Sequence, residues 1–278
     1  MPGDPRTSIV IVNWNGRDLT LECLASLGRT AADNVAVIVV DNGSEDGSVA
    51  EIRRLHPGVT VLAMETNLRF AGGNNAGIRH ALASGAEQVM LLNNDTVVDP
   101  GFLRAMTACL LSAPDIAAVA PHIYYYDRPE LLWYAGGDIS YWTGTMRHAG
   151  IRQTDAGQDR NPHDTGYATG CCLLARREAL ERVGLLDESY FIYAEDADWC
   201  ARAGAAGYRI VVEPRARVWH KVSVSAGGHL SRFKLKNKFL SNFRFFVRHA
   251  SWYHWFTFPW MNLLVNAAAG VRYIFFRR

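Results

Sequence analysis

Three short polar clusters carry side chains suited to chemistry on an oxygen-rich, charged substrate. Asn93-Asn94-Asp95 follows the apolar run Val89-Met90-Leu91-Leu92, so one carboxylate and two amides gather where a buried strand stops. A lone carboxylate there suits Mg²⁺ or Mn²⁺, hard cations that bind through one or two carboxylates, substrate phosphates and retained water. A plain strand-to-loop turn is the simpler use of the same triplet. Glu195-Asp196-Ala197-Asp198 crowds three carboxylates into four positions at a predicted helix start. Neighbouring carboxylates raise at least one pKa, which helps a general base work near neutrality; complementing the helix dipole would need the same charges. Asp41 ends the run Val35-Ala36-Val37-Ile38-Val39-Val40. It could accept a hydrogen bond from a pyrimidine NH or a ribose, or form a turn within Asp41-Asn42-Gly43-Ser44. Asn13 and Asn15 stand at a neighbouring strand end, and His220 at a later one.

These edges belong to an alternating pattern. Ser8-Ile9-Val10-Ile11-Val12-Asn13 reads as a buried strand, followed by a helix from Asp18 to about Leu27; the Asp41 strand precedes a helix beginning near Asp46. Val59-Thr60-Val61-Leu62-Ala63 leads through Phe70-Ala71-Gly72-Gly73-Asn74-Asn75-Ala76-Gly77 into a helix from Ile78 to Ser84, and the Asn93 strand comes fourth. The economical fold is α/β, a doubly wound, mostly parallel sheet that binds ligand at its carboxyl edge. The glycine-rich stretch lacks the Gly-x-Gly-x-x-Gly spacing and follows the third strand, which disfavours a nicotinamide-dependent oxidoreductase. Asp99 is the expected cap of the next helix, with Pro100 at its first position. Residues 118–169 lose the pattern in Tyr-, Trp- and Gly-rich sequence. It returns with the strand Cys171-Cys172-Leu173-Leu174, a helix from Arg177 to Val183, and a helix from the acidic cluster to Ala206-Gly207. Two short strands, Tyr208-Arg209-Ile210-Val211-Val212 and Ala216-Arg217-Val218-Trp219-His220, close the pattern.

With 278 residues, 49% hydrophobic and 20% charged, the chain can bury a full core as one large domain, or one domain and an appendage. Its five cysteines are odd in number and fit no zinc spacing, so they read as reduced, mostly buried thiols of a cytosolic protein. The start, Met1-Pro2-Gly3-Asp4-Pro5-Arg6, lacks the apolar core of a secretory signal. Charge is unevenly spread: nine of the 29 Lys and Arg, and none of the 27 Asp and Glu, lie from His229 onward.

Taken in order, Val12-Asn13-Trp14-Asn15-Gly16, Val40-Asp41-Asn42-Gly43-Ser44, Asn67 through Gly77, Asn93-Asn94-Asp95, Gly166 to Cys172, Glu195-Asp196-Ala197-Asp198 and His220 resemble the inverting family 2 glycosyltransferases of the GT-A fold. The likeness is strongest to the bacterial rhamnosyltransferases that extend cell-envelope polysaccharides, and it covers roughly residues 8–228. The resemblance implies Asp196 as general base beside Glu195, with Asp95 and His220 holding a divalent metal, Mg²⁺ or Mn²⁺. It places Asn13, Asn15, Asp41, Asn67, Gly73, Asn74, Asn93 and Asn94 around a nucleotide-sugar. The glycine-rich stretch would then bring backbone close to the donor, or serve as a loop-to-helix turn. The implied reaction moves L-rhamnose from dTDP-rhamnose to a lipid-linked glycan at the cytoplasmic membrane face. Galactofuranosyl or other hexosyl transfer from a UDP-sugar is the alternative within the class. A non-catalytic nucleotide-sugar-binding scaffold is the alternative outside it, and retention of Asp95, Asp196 and His220 together argues against that. The chain departs from the pattern at Arg69, where the family usually has Gly, and after His220, where Ser223 and Ser225 both stand as candidates to meet the diphosphate.

The expected division is a glycosyltransferase domain over residues 1–228 and a helical extension over 229–278. From Leu230 to Arg248, basic residues alternate with Phe233, Phe239, Phe243, Phe245 and Phe246, as in an amphipathic helix on an anionic membrane. Packing on the catalytic domain, or a homo-oligomer interface, would use the same residues. The charge-free run from Trp255 to Val271 holds Pro259, Asn262 and Asn266 and is at the lower limit for spanning, so peripheral attachment is expected. Nucleic acid is a poor partner for so many aromatics, which need burial rather than an open charged groove.

Overall fold

Each β-branched run becomes a strand. The computed structural model describes residues 5–30, 34–222, 232–257 and 260–261. Strand β1 (Thr7–Asn13), helix α1 (Arg17–Leu27), β2 (Val35–Asp41), α2 (Ser48–Leu55), β3 (Thr60–Ala63), α3 (Arg69–Ala83) and β4 (Gln88–Asn93) alternate along the chain. β3, β2, β1 and β4 pair in parallel, so Asn13, Asp41 and Asn93 end together at one edge. Ile9, Val10, Ile11, Val39 and Val40 are wholly buried, each such side chain stabilising the fold by about 1.5–3 kcal/mol.

The second half completes the sheet. After β5 (Thr96–Val98) and α4 (Phe102–Leu111) come β6 (Ile116–Tyr125), β7 (Leu132–Tyr134), the hairpin β8 (Gly137–Ser140) with β9 (Thr145–His148), and β10 (His163–Asp164). β11 (Cys172–Arg176), α5 (Arg177–Val183), α6 (Glu195–Ala205) and β12 (Arg209–His220) follow. β11 inserts antiparallel between β4 and β6, and β12 runs parallel to β6. The sheet is the expected mostly parallel one.

Several element boundaries differ from the sequence reading, each for a local reason. Helix α3 starts at Arg69 rather than Ile78 and contains the glycine-rich stretch. A Cβ on Gly77 would lie 2.2 Å from Val10 Cγ1, and one on Gly73 would lie 3.0 Å from Val12 Cγ1 and from the Asn42 amide. The glycines therefore let a helix lie directly on β1 and β2. Helix α4 begins at Phe102, because the Asp99 side chain accepts from Gly101 N (2.9 Å) in a turn ahead of the helix. The irregular region holds β6, nine of whose ten residues are buried; burial on both faces erases the alternation that marks a strand. The two short strands at 208–220 are one, β12, with a register shift between Glu213 and Arg217 around Pro214. Glu213 is fully buried there and held by a two-pronged ion pair with Arg215 (2.7 and 2.8 Å). All five cysteines are buried free thiols.

Helix α7 (Arg232–His249) and a 3₁₀ turn (Trp252–Phe256) make up most of the described part of the C-terminal segment. Phe245 and Phe246 enter the main core and pack on Tyr141, at centroid distances of 6.2 and 5.9 Å. Phe239, Leu240, Phe243 and Val247 face outward, as do Trp252, Tyr253 and Phe256. Among the described residues no helix is long and apolar enough to cross a membrane. Ser223 and Ser225, and most of the charge-free run through Val271, lie outside the described residues.

Candidate active site

The carboxyl ends of β1, β2 and β4 build a polar floor. Asn13 Nδ2 donates to Asp41 Oδ2 (2.7 Å) and Ser44 Oγ (3.2 Å). Asn13 Oδ1 accepts from Thr20 Oγ1 (2.8 Å) and Asn94 Nδ2 (3.2 Å). Asp41 Oδ1 takes Ser44 N (2.9 Å), and Asn15 accepts from Glu45 N (2.8 Å) while adopting a left-handed backbone. Asp41 is 1% exposed, and a buried carboxylate so surrounded by donors is fixed in direction. Thr20 and Ser44 join this network, and Asn42 ties it to α3 by donating from its backbone N to Asn13 O (2.8 Å) and from Nδ2 to Arg69 O (3.1 Å), although the sequence patterns single out none of the three as a site residue. Their signal was the turn chemistry beside Asp41 and the polar position early in an amphipathic helix.

Asn67 lies at the exposed rim, where its side chain accepts from Arg69 N (2.7 Å) in a turn that leads into α3. Gly73 and Asn74 are buried within α3, Asn74 donating to Phe70 O (2.9 Å). Arg69 has φ +63°, the left-handed region that favours glycine. This gives physical meaning to the departure at that position. Its guanidinium lies 4.1 Å from the centroid of the Phe191 ring, a cation–π contact that offsets part of the backbone strain.

On the far side of Asn93, Asp95 and His220 meet because β5 pairs with the end of β12, placing His220 opposite Thr96. His220 Nε2 is 3.1 Å from Asp95 Oδ1, and both residues are less than a tenth exposed. Lys221 N donates to Asp95 O (2.9 Å). Trp133 meets the His220 ring edge-on at 4.6 Å, and among the described residues the buried His220 Nδ1 has no hydrogen-bond partner. Among the described residues no three His, Cys, Asp or Glu side chains form a metal cluster. One carboxylate and one imidazole nevertheless fit an octahedral cation that takes its remaining ligands from phosphate and water.

Glu195 and Asp196 begin α6, after Tyr193 and Ala194, both with φ +70°. Such consecutive left-handed residues mark strain held by surrounding structure. Asp196 Oδ2 accepts from Gly170 N and Oδ1 from Ala197 N, each at 2.8 Å. Burial pushes the Asp196 carboxyl up, and its backbone donors moderate the rise. Glu195 is pushed up to about 8, first by burial and then by the charge of Asp196; among the described residues its buried Oε2 has no hydrogen-bond partner. The pair therefore retains a proton near neutrality. The neighbouring segment connects it to the rest of the site: Asn93 N donates to Cys171 O (2.9 Å), one residue from the Gly170 that holds Asp196. Asp198 differs from its neighbours. Burial would raise its pKa, but hydrogen bonds from His249 and Arg202, and the charges of Arg202 and Arg248, hold it below the ordinary range.

The carboxyl edge of an open α/β sheet, here lined with buried amides and carboxylates, is where such folds bind their ligands. Residues 8–184 match the family described as glycosyl transferase family 2. The chain belongs to that family, is a glycosyltransferase with the GT-A fold, and resembles rhamnosyltransferases. It is 30% identical over 256 residues to N-acetylglucosaminyl-diphospho-decaprenol L-rhamnosyltransferase of Mycobacterium tuberculosis, covering 83% of this chain and 80% of that protein. It is 24% identical over 217 residues to the dTDP-rhamnosyl transferase RfbF of Shigella flexneri, covering 77% and 68%. Among solved structures, the mannosyltransferase PcManGT of Pyrobaculum calidifontis, in complex with GDP-Man and Mn²⁺, matches with TM-score 0.65 and 20% identity over 98% of this chain and 76% of that one.

Proposed function

We propose that the chain transfers L-rhamnose, with inversion, from dTDP-L-rhamnose to a sugar carried on a prenyl diphosphate. The observation that carries this reading is that the segment Gly170–Cys171, bonded to Asp196 on one side and to Asn93 at the end of β4 on the other, lies near both the Asp95–His220 pair and the Glu195–Asp196 pair, at the sheet edge that holds the Asp41 floor. Asp41, aligned by Asn13 and Ser44, accepts from the pyrimidine NH, while Asn15, Asn67, Asn74, Asn93 and Asn94 border the donor and Gly73 keeps α3 close beneath it. Asp95 and His220 would hold Mg²⁺ or Mn²⁺, which when bound would supply Lewis-acid stabilisation of the departing diphosphate. Asp196 takes the acceptor hydroxyl proton as that oxygen attacks the anomeric carbon and the bond to dTDP breaks. Glu195, protonated beside it, keeps a second full charge from forming in the same buried space.

The names of the two rhamnosyltransferases support the donor, and the decaprenol-linked one supports a lipid-linked acceptor. The outward Phe239, Leu240, Phe243, Val247, Trp252 and Phe256, with an acid-free basic tail, support attachment to the inner membrane face. The test is transfer of labelled rhamnose from dTDP-rhamnose to a short-chain prenyl-diphospho-N-acetylglucosamine, with and without Mn²⁺. Metal-dependent product is expected, and His220→Ala should lose the metal response. Transfer from UDP-hexoses alone would overturn the donor, and full metal-free transfer would overturn the role of Asp95 and His220.

A further inference from the structure

The C-terminal helix holds the segment that delivers the catalytic pair, and does so by polar contacts that simple burial of its aromatics would not need. Ser241 Oγ donates to Ile192 O (2.8 Å), and Arg244 to Ser189 O (2.7 Å). Arg248 reaches Asp187 (2.6 Å) and, at 3.3 Å, Asp198. His249 Nε2 lies 2.8 Å from Asp198 Oδ1; the ionised Asp198 accepts, so Nε2 carries the proton. Asp198 is 0% exposed and also takes Arg202 (2.8 Å) and the Tyr190 hydroxyl (3.3 Å). Residues 187–198 are thus tied to α7 at five points, two of them on the buried carboxylate one position beyond Ala197.

From the other side α3 holds the start of the same segment, where Asn75 bonds both Leu186 N (3.0 Å) and Leu186 O (2.9 Å). The left-handed Tyr193 and Ala194 lie between these anchors and Glu195. A strained turn retains one geometry only when both flanks are fixed, and α7 supplies the second flank.

We propose that α7 is a strap that positions the general base. His249, acting through Asp198 with help from Arg248 and Ser241, sets the direction in which α6 presents the Asp196 carboxylate. His249 is a positioning residue that touches neither donor nor acceptor. The proposal rests on the reading of Asp196 as base. It makes the C-terminal segment a working part of the catalytic unit, so that whatever surface engages the outer face of α7 also bears on the base.

The experiment compares His249→Leu, His249→Gln and Ser241→Ala in the full chain. Three readouts are taken: rhamnose transfer, calorimetric affinity for dTDP-rhamnose with Mn²⁺, and hydrogen exchange by segment. Misplacing a reacting group by about 1 Å can cost about 10²-fold in rate. His249→Leu should therefore lower kcat about tenfold or more, leave donor affinity within about twofold, and raise exchange in residues 187–198 but not in β1, β2 or β4. His249→Gln, which keeps a donor on the side chain, should recover most of kcat, and Ser241→Ala should fall between. A kcat within about twofold of the parent in His249→Leu overturns the strap. So does an equal loss of kcat and donor affinity in both His249 variants. If Asp196→Asn transfers at full rate, the base assignment fails instead, and exchange in residues 187–198 then decides the strap alone.

Discussion

Replacing Glu195 with Gln isolates the electrostatic tension at the start of α6. Glu195 is 5% exposed, and its pKa rises from 4.5 to about 8 because burial and then the Asp196 charge disfavour its ionised form. The folded protein therefore binds this proton more tightly than the unfolded chain does. Stability from this source is fully present below the ordinary glutamate range and is lost as pH rises through about 8. At about 1.36 kcal/mol per pKa unit, the full loss is about 4–5 kcal/mol. Gln is isosteric with the protonated acid and suffers no such loss. Urea unfolding of both proteins should give similar stabilities near about pH 5 and a gap of several kcal/mol favouring Glu195→Gln near about pH 9. Because Asp196 shifts in the same direction, the gap belongs to the pair rather than to one residue. A gap that stays constant with pH would refute the claim that the pair holds a proton.

Two further substitutions test the frame around the site. Gly77→Ala forces a methyl to within 2.2 Å of Val10 Cγ1 and should cost about 1–3 kcal/mol by overpacking, read as a lower urea midpoint. Arg69→Gly relieves a left-handed backbone at φ +63°, worth about 1–2 kcal/mol, but removes the cation–π contact with Phe191, worth about 0.5–1 kcal/mol. Global stability should change by less than about 1.5 kcal/mol, while limited proteolysis cuts faster within residues 187–194. Unchanged proteolysis would show that Arg69 does not restrain that segment.

The parallel half of the fold was legible because β1 and β2 are β-branched runs and β4 an apolar one, all stopping in polar residues, and the parallel register alone then aligns Asn13, Asp41 and Asn93. The antiparallel half was less so. β6 is buried on both faces and shows no period, and β12 is interrupted at Pro214, so one strand reads as two. The pairing of Asp95 with His220 needs β5 against β12, a contact across more than a hundred residues that no local pattern encodes. Arg69 was visible as a departure, but its meaning required a backbone angle. The link from His249 to Asp198 joins two segments whose sequences suggested separate roles, a surface helix and a helix dipole, and only packing of Phe245 and Phe246 into the core brings them together.

In the proposed mechanism Asp196 removes the acceptor proton while the donor is held by other groups. Asp196→Asn should bind dTDP-rhamnose and Mn²⁺ with a Kd within about twofold of the parent and lose about 10²–10⁴-fold in transfer rate. Transfer at the parental rate by an Asp196→Asn protein that binds donor normally would contradict it.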